Sequence, residues 1–137
     1  MSNIHTFVVL AYKQSDKLED CIKSVINQKY KSNVVIATST PNEYIENIAK
    51  KYNLNIIVNK ERKGIGYDFD FATNCVESDL VTVAHQDDIY DYDYAYEMVE
   101  GYKKYPKSLI IFPDYYEIRN DKKIVNNKNL KIKRFLL

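Results

Sequence analysis

The chain contains the run Leu80-Val81-Thr82-Val83-Ala84-His85-Gln86-Asp87-Asp88. Its apolar and β-branched residues show no polar gap, which is typical of a strand covered on both faces. The carboxylates follow where this strand leaves the sheet, and open α/β sheets bind ligands outside the carboxyl ends of their strands. Neighbouring negative charges need a cation or strong donors. The run predicts a divalent metal site that faces a phosphorylated ligand, with an Asp-rich turn that caps the next helix as the alternative.

Length and composition indicate one ordinary globular domain, residues 1–137. The chain is 45% hydrophobic and 28% charged, with a net charge of +1, which favours neither disorder nor a nucleic-acid partner. No apolar run is long enough to span a membrane, and no secretion signal is apparent at the start. Cys21 and Cys75 fall in helical apolar patterns and are expected to be free, buried thiols. These features predict a cytoplasmic protein.

Strand and helix patterns alternate along the chain. This alternation predicts an α/β fold, a Rossmann-like, mostly parallel sheet with helices on both faces and right-handed crossovers. One helix start is signalled by Thr40 as the cap, with Pro41 at the first helical position. The predicted strands are 6–11, 34–37, 55–58, 80–86 and 109–112, and the predicted helices are 16–28, one beginning at Thr40, 67–77 and 92–105.

The end of the chain differs in character. Residues 115–125 are expected to form a hairpin that turns at Asn120-Asp121. Residues 126–137 form a basic tail with an apolar end and carry no acid. We interpret this tail as leading into a missing second half of a truncated domain. Contact with a membrane surface or an anionic ligand is the alternative, and the apolar end is compatible with a homodimer.

Four segments together resemble the amino-terminal, nucleotide-sugar-binding half of glycosyltransferase family 2, the inverting enzymes of GT-A fold. The match runs from about Thr6 to Ile118. Each segment lies at the strand end or helix where that family carries its own motif. The segments are Val8 to Lys13 (VVLAYK), Cys21 to Tyr30 (CIKSVINQKY), Gly64 to Asn74 (GIGYDFDFATN) and His85 to Asp88 (HQDD).

The chain departs from the family pattern at three places. The second strand ends in Ala37-Thr38-Ser39-Thr40, where the family usually has an acidic pair that reads the base, so a UDP-sugar is only the default donor. His85 replaces the first acid of the metal motif. The family's general base would lie beyond residue 137, so the resemblance implies no catalytic residue within this chain.

The resemblance implies a metal site and a nucleotide-sugar site. Mg²⁺ or Mn²⁺ would be held by Asp87 and Asp88. Most of the other candidates have a structural alternative: a solvated basic loop for Arg62 and Lys63, a turn for Thr38 and Ser39, a strand-end aromatic for Tyr12, and helix-dipole pairing for Asp68. The nucleotide-sugar-binding candidates are Ala11, Tyr12, Thr38, Ser39, Arg62, Lys63, Gly66, Asp68, Gln86 and Asp87.

The function implied by the resemblance is metal-assisted transfer of a sugar from a nucleotide-diphosphate sugar to an acceptor hydroxyl. The acceptor would be a glycan or a lipid-linked glycan, in bacterial cell-surface polysaccharide synthesis at the inner face of the membrane. This piece alone is expected to be inactive. A catalytically inactive nucleotide-binding or interaction module of the same fold is the main alternative. A nucleotidyltransferase is disfavoured, because residues 11–14 lack a Gly- and Lys/Arg-rich signature.

Overall fold

The computed structural model describes residues 4–125. These residues fall into two compact units that divide between Lys107 and Ser108, and we describe the units separately. The basic tail predicted for residues 126–137 lies outside the described residues. The elements of the first unit are β1 (His5–Ala11), α1 (Leu18–Ile26), β2 (Asn33–Thr38), α2 (Glu43–Tyr52), β3 (Asn55–Val58), α3 (Ile65–Asn74), β4 (Leu80–His85) and α4 (Tyr94–Lys104); those of the second are β5 (Glu117–Arg119) and β6 (Lys122–Ile124).

The first unit is built on a parallel sheet of four strands in the order β3-β2-β1-β4. β1 pairs with β2 on one side and with β4 on the other, so the central strand is the first in the sequence. Its side chains alternate between two cores, as the pleat of a strand requires. Phe7 packs among residues of α1 and α2, whereas Val8 packs against α3. The expected α/β sheet with helices on both faces is confirmed.

The start of α2 differs from the prediction. The helix begins at Glu43, and its cap is Asn42, whose side-chain oxygen accepts a hydrogen bond from the backbone N–H of Ile45 at 3.0 Å. The hydroxyl of Thr40 instead accepts from the backbone N–H of Lys13 at 2.6 Å. The prediction that Thr40 caps this helix is therefore wrong, because a tertiary hydrogen bond occupies the oxygen that a cap would use.

In the second unit the predicted hairpin forms, but a predicted strand does not. β5 and β6 pair antiparallel, and Asn120 and Asp121 both adopt positive φ, as the turn of a two-residue hairpin requires. The predicted hairpin is confirmed. The strand predicted at residues 109–112 is absent. Leu109 is 99% exposed, and a fully apolar strand is stable only when other layers cover it.

None of the helices in residues 4–125 is both long enough and apolar enough to cross a membrane.

A buried histidine at the start of β1 links this strand to β4 and to the residue before β2. His5 is fully buried, and its ring nitrogens lie 2.6 Å from the hydroxyl of Ser32 and 2.8 Å from the hydroxyl of Thr82. The ring meets Phe7 edge-on, with 4.6 Å between centroids. Burial lowers the pKa of His5 from 6.5 to about 4. Burial therefore favours the neutral form of this ring in the folded protein.

We predict that the burial of neutral His5 makes the folded protein less stable as the pH is lowered. Between pH 6.5 and pH 4 the unfolded chain binds a proton at this ring that the folded chain does not bind. Lowering the pH from 7 to 4.5 should cost about 2–3 kcal/mol through this group. Urea unfolding of the wild type and of His5→Gln at both pH values measures it. An equal loss of stability in both proteins would contradict this role for His5.

Candidate functional site

A cavity of about 450 Å³ opens at the carboxyl ends of β1 and β4. The chain leaves β1 towards β2 on one side and returns to β4 on the other, so the strand order reverses between β1 and β4. Open α/β sheets bind ligands in the crevice at such a point. The wall of the cavity is formed by Leu10, Ala11, Tyr12, Thr40, Lys63, Gly64, Ile65, Asp68, His85, Gln86 and Asp87.

The side chain of Gln86 joins the two strand exits. Its amide oxygen accepts from the backbone N–H of Tyr12 at 3.0 Å, and its amide nitrogen donates to the backbone carbonyl of Tyr12 at 3.2 Å. The register puts Leu10 opposite His85, so Gln86 follows the last strand pair and continues the ladder through its side chain. Gln86 therefore fixes the peptide of Tyr12 at the cavity wall.

The loop after β1 is also held from the β2 side. Lys13 has a φ of 53°, a left-handed conformation that costs energy for a residue with a side chain. Its N–H donates to the hydroxyl of Thr40, and its carbonyl accepts from the side-chain amide of Asn42 at 3.1 Å. These hydrogen bonds hold the strained turn in one conformation, which orders the edge of the cavity next to Tyr12.

Asp68 on α3 connects the exits of β2 and β3. Its carboxylate is buried, and its two oxygens accept from the hydroxyl of Ser39 at 2.9 Å and from the side-chain amide of Asn59 at 3.0 Å. The same amide nitrogen of Asn59 donates to the carbonyl of Arg62 at 2.9 Å. The network ties the basic loop after β3 to the sheet, with Asp68 on the cavity wall.

The aspartates after β4 differ in position. Both are exposed residues, but Asp87 lines the cavity and Asp88 does not. Partial burial raises the pKa of Asp88 above its ordinary value; His85 lowers this pKa and the charge of Asp87 raises it. Burial, and then the charges of Asp88 and Asp87, also raise the pKa of Cys21 to about 12. A cation beside the pair would relieve this negative charge.

The predicted site residues fall into two groups. Ala11, Tyr12, Lys63, Asp68, Gln86 and Asp87 lie together on the cavity wall. Thr38, Ser39, Arg62 and Gly66 do not.

The second group has other contacts. The Thr38 hydroxyl accepts from the backbone N–H of Thr40, as in a turn, and Ser39 holds Asp68. The guanidinium of Arg62 lies 5.4 Å from the ring centroid of Tyr67, and Gly66 lines a shallow depression outside the cavity.

Sequence reasoning missed five cavity residues. Gly64 and His85 lie within segments that resemble the family's motifs. Gly64 directly precedes α3 and His85 ends β4, and these positions could have marked both residues as candidates. Thr40 was assigned to a helix cap. Leu10 and Ile65 carry no polar group that would signal a ligand site. The missed residues are Leu10, Thr40, Gly64, Ile65 and His85.

Comparison with sequence families gives a match over nearly the whole chain. The profile of "Glycosyl transferase family 2" matches residues 6–137. The chain belongs to this family. A search of curated proteins found no significant match.

Two solved structures share the fold of this family 2 chain. TarS from S. aureus superimposes with a TM-score of 0.63 at 16% identity, over 76% of this chain and 20% of TarS. The mannosyltransferase PcManGT from Pyrobaculum calidifontis, in complex with GDP-Man and Mn²⁺, gives a TM-score of 0.58 at 17% identity, over 80% of this chain and 34% of that enzyme. The family 2 chain thus spans about a fifth of TarS and about a third of the mannosyltransferase.

The donor set of the family 2 chain fits a hard divalent cation. Within residues 4–125, no three His, Cys, Asp or Glu side chains form a cluster that could enclose a metal. The available ligands are the adjacent carboxylates of Asp87 and Asp88. Mg²⁺ and similar ions accept one or two carboxylates and fill their other positions with water and phosphate oxygens, whereas structural zinc needs four protein ligands.

We predict that Gln86→Ala loosens the exit of β1. The Tyr12 amide loses its acceptor and the Tyr12 carbonyl its donor, which should cost about 1 kcal/mol of local stability. Amide hydrogen exchange followed by NMR should show the Tyr12 N–H exchanging about fivefold to tenfold faster. Gln14→Ala, at an exposed glutamine two residues after Tyr12, is the control. Unchanged exchange in Gln86→Ala would show that the clamp does not hold this peptide.

Proposed function

We propose that this chain is the donor-binding part of an inverting glycosyltransferase, which transfers a sugar from a nucleotide-diphosphate sugar to an acceptor hydroxyl. The observation that carries the proposal is Asp87 on the wall of a cavity at the reversal of strand order, in a chain that belongs to family 2. The cavity volume lies within the range typical of small-molecule sites. GDP-Man bound to the mannosyltransferase of the same fold gives further support.

The proposed metal is Mg²⁺ or Mn²⁺, held by Asp87 and Asp88. When bound, it would neutralise negative charge that develops on the diphosphate leaving group. The exposure of both residues leaves room for water and phosphate ligands. The Mn²⁺ in the mannosyltransferase structure is consistent with this choice. Of the residues that line the cavity, Lys63 carries the fixed positive charge and would attract the phosphates.

The remaining candidates contribute to binding in different ways. The exposed ring of Tyr12 would pack on the base or the ribose, with Gln86 holding its backbone. Ala11 forms wall next to it. Ser39 acts through Asp68, and Thr38 shapes the turn after β2. Arg62 and Gly66 would approach the ligand only from the rim.

The proposed reaction is a direct displacement. The acceptor oxygen forms a bond to the anomeric carbon while the bond from that carbon to the diphosphate oxygen breaks, and the electron pair leaves with the diphosphate. The acceptor proton goes to a general base in sequence beyond residue 137. The acceptor would be a glycan or lipid-linked glycan, at the cytoplasmic face of the membrane, and this 137-residue chain alone would transfer nothing.

We predict weak, metal-dependent binding of a nucleoside diphosphate by the 137-residue chain. Isothermal titration with UDP, GDP and dTDP, each with and without Mn²⁺, measures it. Asp87→Asn should weaken the Mn²⁺-dependent binding about tenfold or more, because a neutral amide is a much poorer ligand for a hard cation than a carboxylate.

The control is Asp16→Asn, at an exposed aspartate before α1 and outside the cavity. It should bind like the wild type. Failure of all three nucleotides to bind with Mn²⁺ would contradict the proposed function. Full binding by the double variant Asp87→Asn/Asp88→Asn would favour a binding module that needs no metal.

A further inference from the structure

Asp68 is a buried anion without a cationic partner in the structure that residues 4–125 describe. Only 6% of the residue is exposed, and no ion pair involving it occurs in that range. Its hydrogen bonds come from a hydroxyl and a carboxamide, both uncharged. Burying a carboxylate is costly unless donors or a cation surround it. This cost makes Asp68 a position where donors of a ligand would be strongly favoured.

The carboxylate of Asp68 keeps acceptor capacity. An ionised carboxyl group offers about four lone-pair positions on its two oxygens, and Ser39 and Asn59 use one on each oxygen. Because Asp68 also lines the cavity, a ligand there would meet a side chain whose acceptor positions are only partly used by the hydrogen bonds from Ser39 and Asn59. One remaining position on each oxygen suits a ligand that carries two adjacent donors, as in bidentate pairs with carboxylates.

The topology places Asp68 and Asp87 at the exits of different strands on the wall of the same cavity. Asp68 is bound by residues that follow β2 and β3, whereas Asp87 follows β4. β1 lies between β2 and β4, so the two carboxylates are separated by about two strand spacings, or about 10 Å. A nucleoside diphosphate that has its phosphates beside Asp87 and runs along the cavity across β1 would bring its base towards Asp68.

We propose that Asp68 is a specificity-determining residue that selects guanine, an inference that rests on the proposed function. The N1–H and the 2-amino group of guanine are adjacent donors and match the two oxygens of a carboxylate. Uracil offers one N–H between two carbonyl oxygens, and at least one of these would face the carboxylate unfavourably. The buried acid on α3 thus takes the base-reading role for which Ala37 to Thr40 supply no acid.

The test compares GDP and UDP, each with Mn²⁺, by titration of the 137-residue wild type. GDP should bind more tightly by about tenfold or more, which is about the value of one additional hydrogen bond to a charged acceptor. Asp68→Asn should abolish this preference by weakening the binding of GDP, since the side-chain NH₂ group of the asparagine would face a hydrogen-bond donor of guanine. Asp70→Asn, on the same helix but outside the cavity, should keep the preference.

Each other result overturns the inference in a recognisable way. Equal binding of GDP and UDP by the wild type, or tighter UDP, refutes guanine selection and leaves the proposed function intact. An equal loss for both nucleotides in Asp68→Asn assigns Asp68 to the ribose or to the fold. Binding of neither nucleotide by the wild type refutes guanine selection, and it contradicts the proposed function as well if dTDP also fails to bind. Thermal unfolding shows whether the variants are folded. If Asp68→Asn does not fold, the preference of the wild type for GDP over UDP alone decides whether the inference holds.

Discussion

The parallel pairing of β1 with β4 is the constraint on which the rest of the site depends. It brings Tyr12 and Gln86, 74 positions apart in the sequence, into a two-hydrogen-bond contact. Without this pairing the exit of β1 and the carboxylates after β4 would have no reason to meet. The buried contacts of β1 on both faces make the pairing stable, because its apolar side chains alternate between two cores. The cavity is a consequence of the sheet order.

The charges around this cavity are arranged unequally. Asp87 is exposed after β4, where its neighbour Asp88 adds like charge, whereas Asp68 is buried between the exits of β2 and β3 and held by neutral donors. An exposed pair of carboxylates suits a hydrated cation with phosphates, and a buried single carboxylate suits directed hydrogen bonds. Under the proposed function, the two environments would serve the two chemically different ends of one nucleotide.

Most of the fold was predictable from the sequence, because buried parallel strands leave long apolar runs. The four strands of the sheet were placed within one residue of their observed ends. Local sequence patterns gave a wrong prediction where a residue distant in the sequence binds the side chain on which the pattern depends. The oxygen of Thr40 bonds to Lys13, so the helix is capped by Asn42 instead. The apolar run 109–112 imitates a strand, but it is mostly exposed and no strand forms there.

The site was predictable in part for the same reason. Residues directly after strands, such as Tyr12 and Asp87, follow from the strand order alone. The roles of Gln86 and Ser39 depend on register and on which helix packs nearby, and no local pattern encodes those features. Ser39 was a candidate for the nucleotide-sugar site with a turn as the alternative, and neither expectation included the hydrogen bond that its hydroxyl donates to Asp68.

The central claim is that a cation beside Asp87 holds the diphosphate, and paramagnetic broadening by Mn²⁺ tests it most directly. In an NMR titration with Mn²⁺ and a nucleoside diphosphate, the amide signals of Tyr12 and Gln86 should broaden first. The signal of Asp79, at the far end of β4 and about 20 Å away, should stay sharp. Broadening centred on any other part of the chain, or none at these residues, would contradict the account.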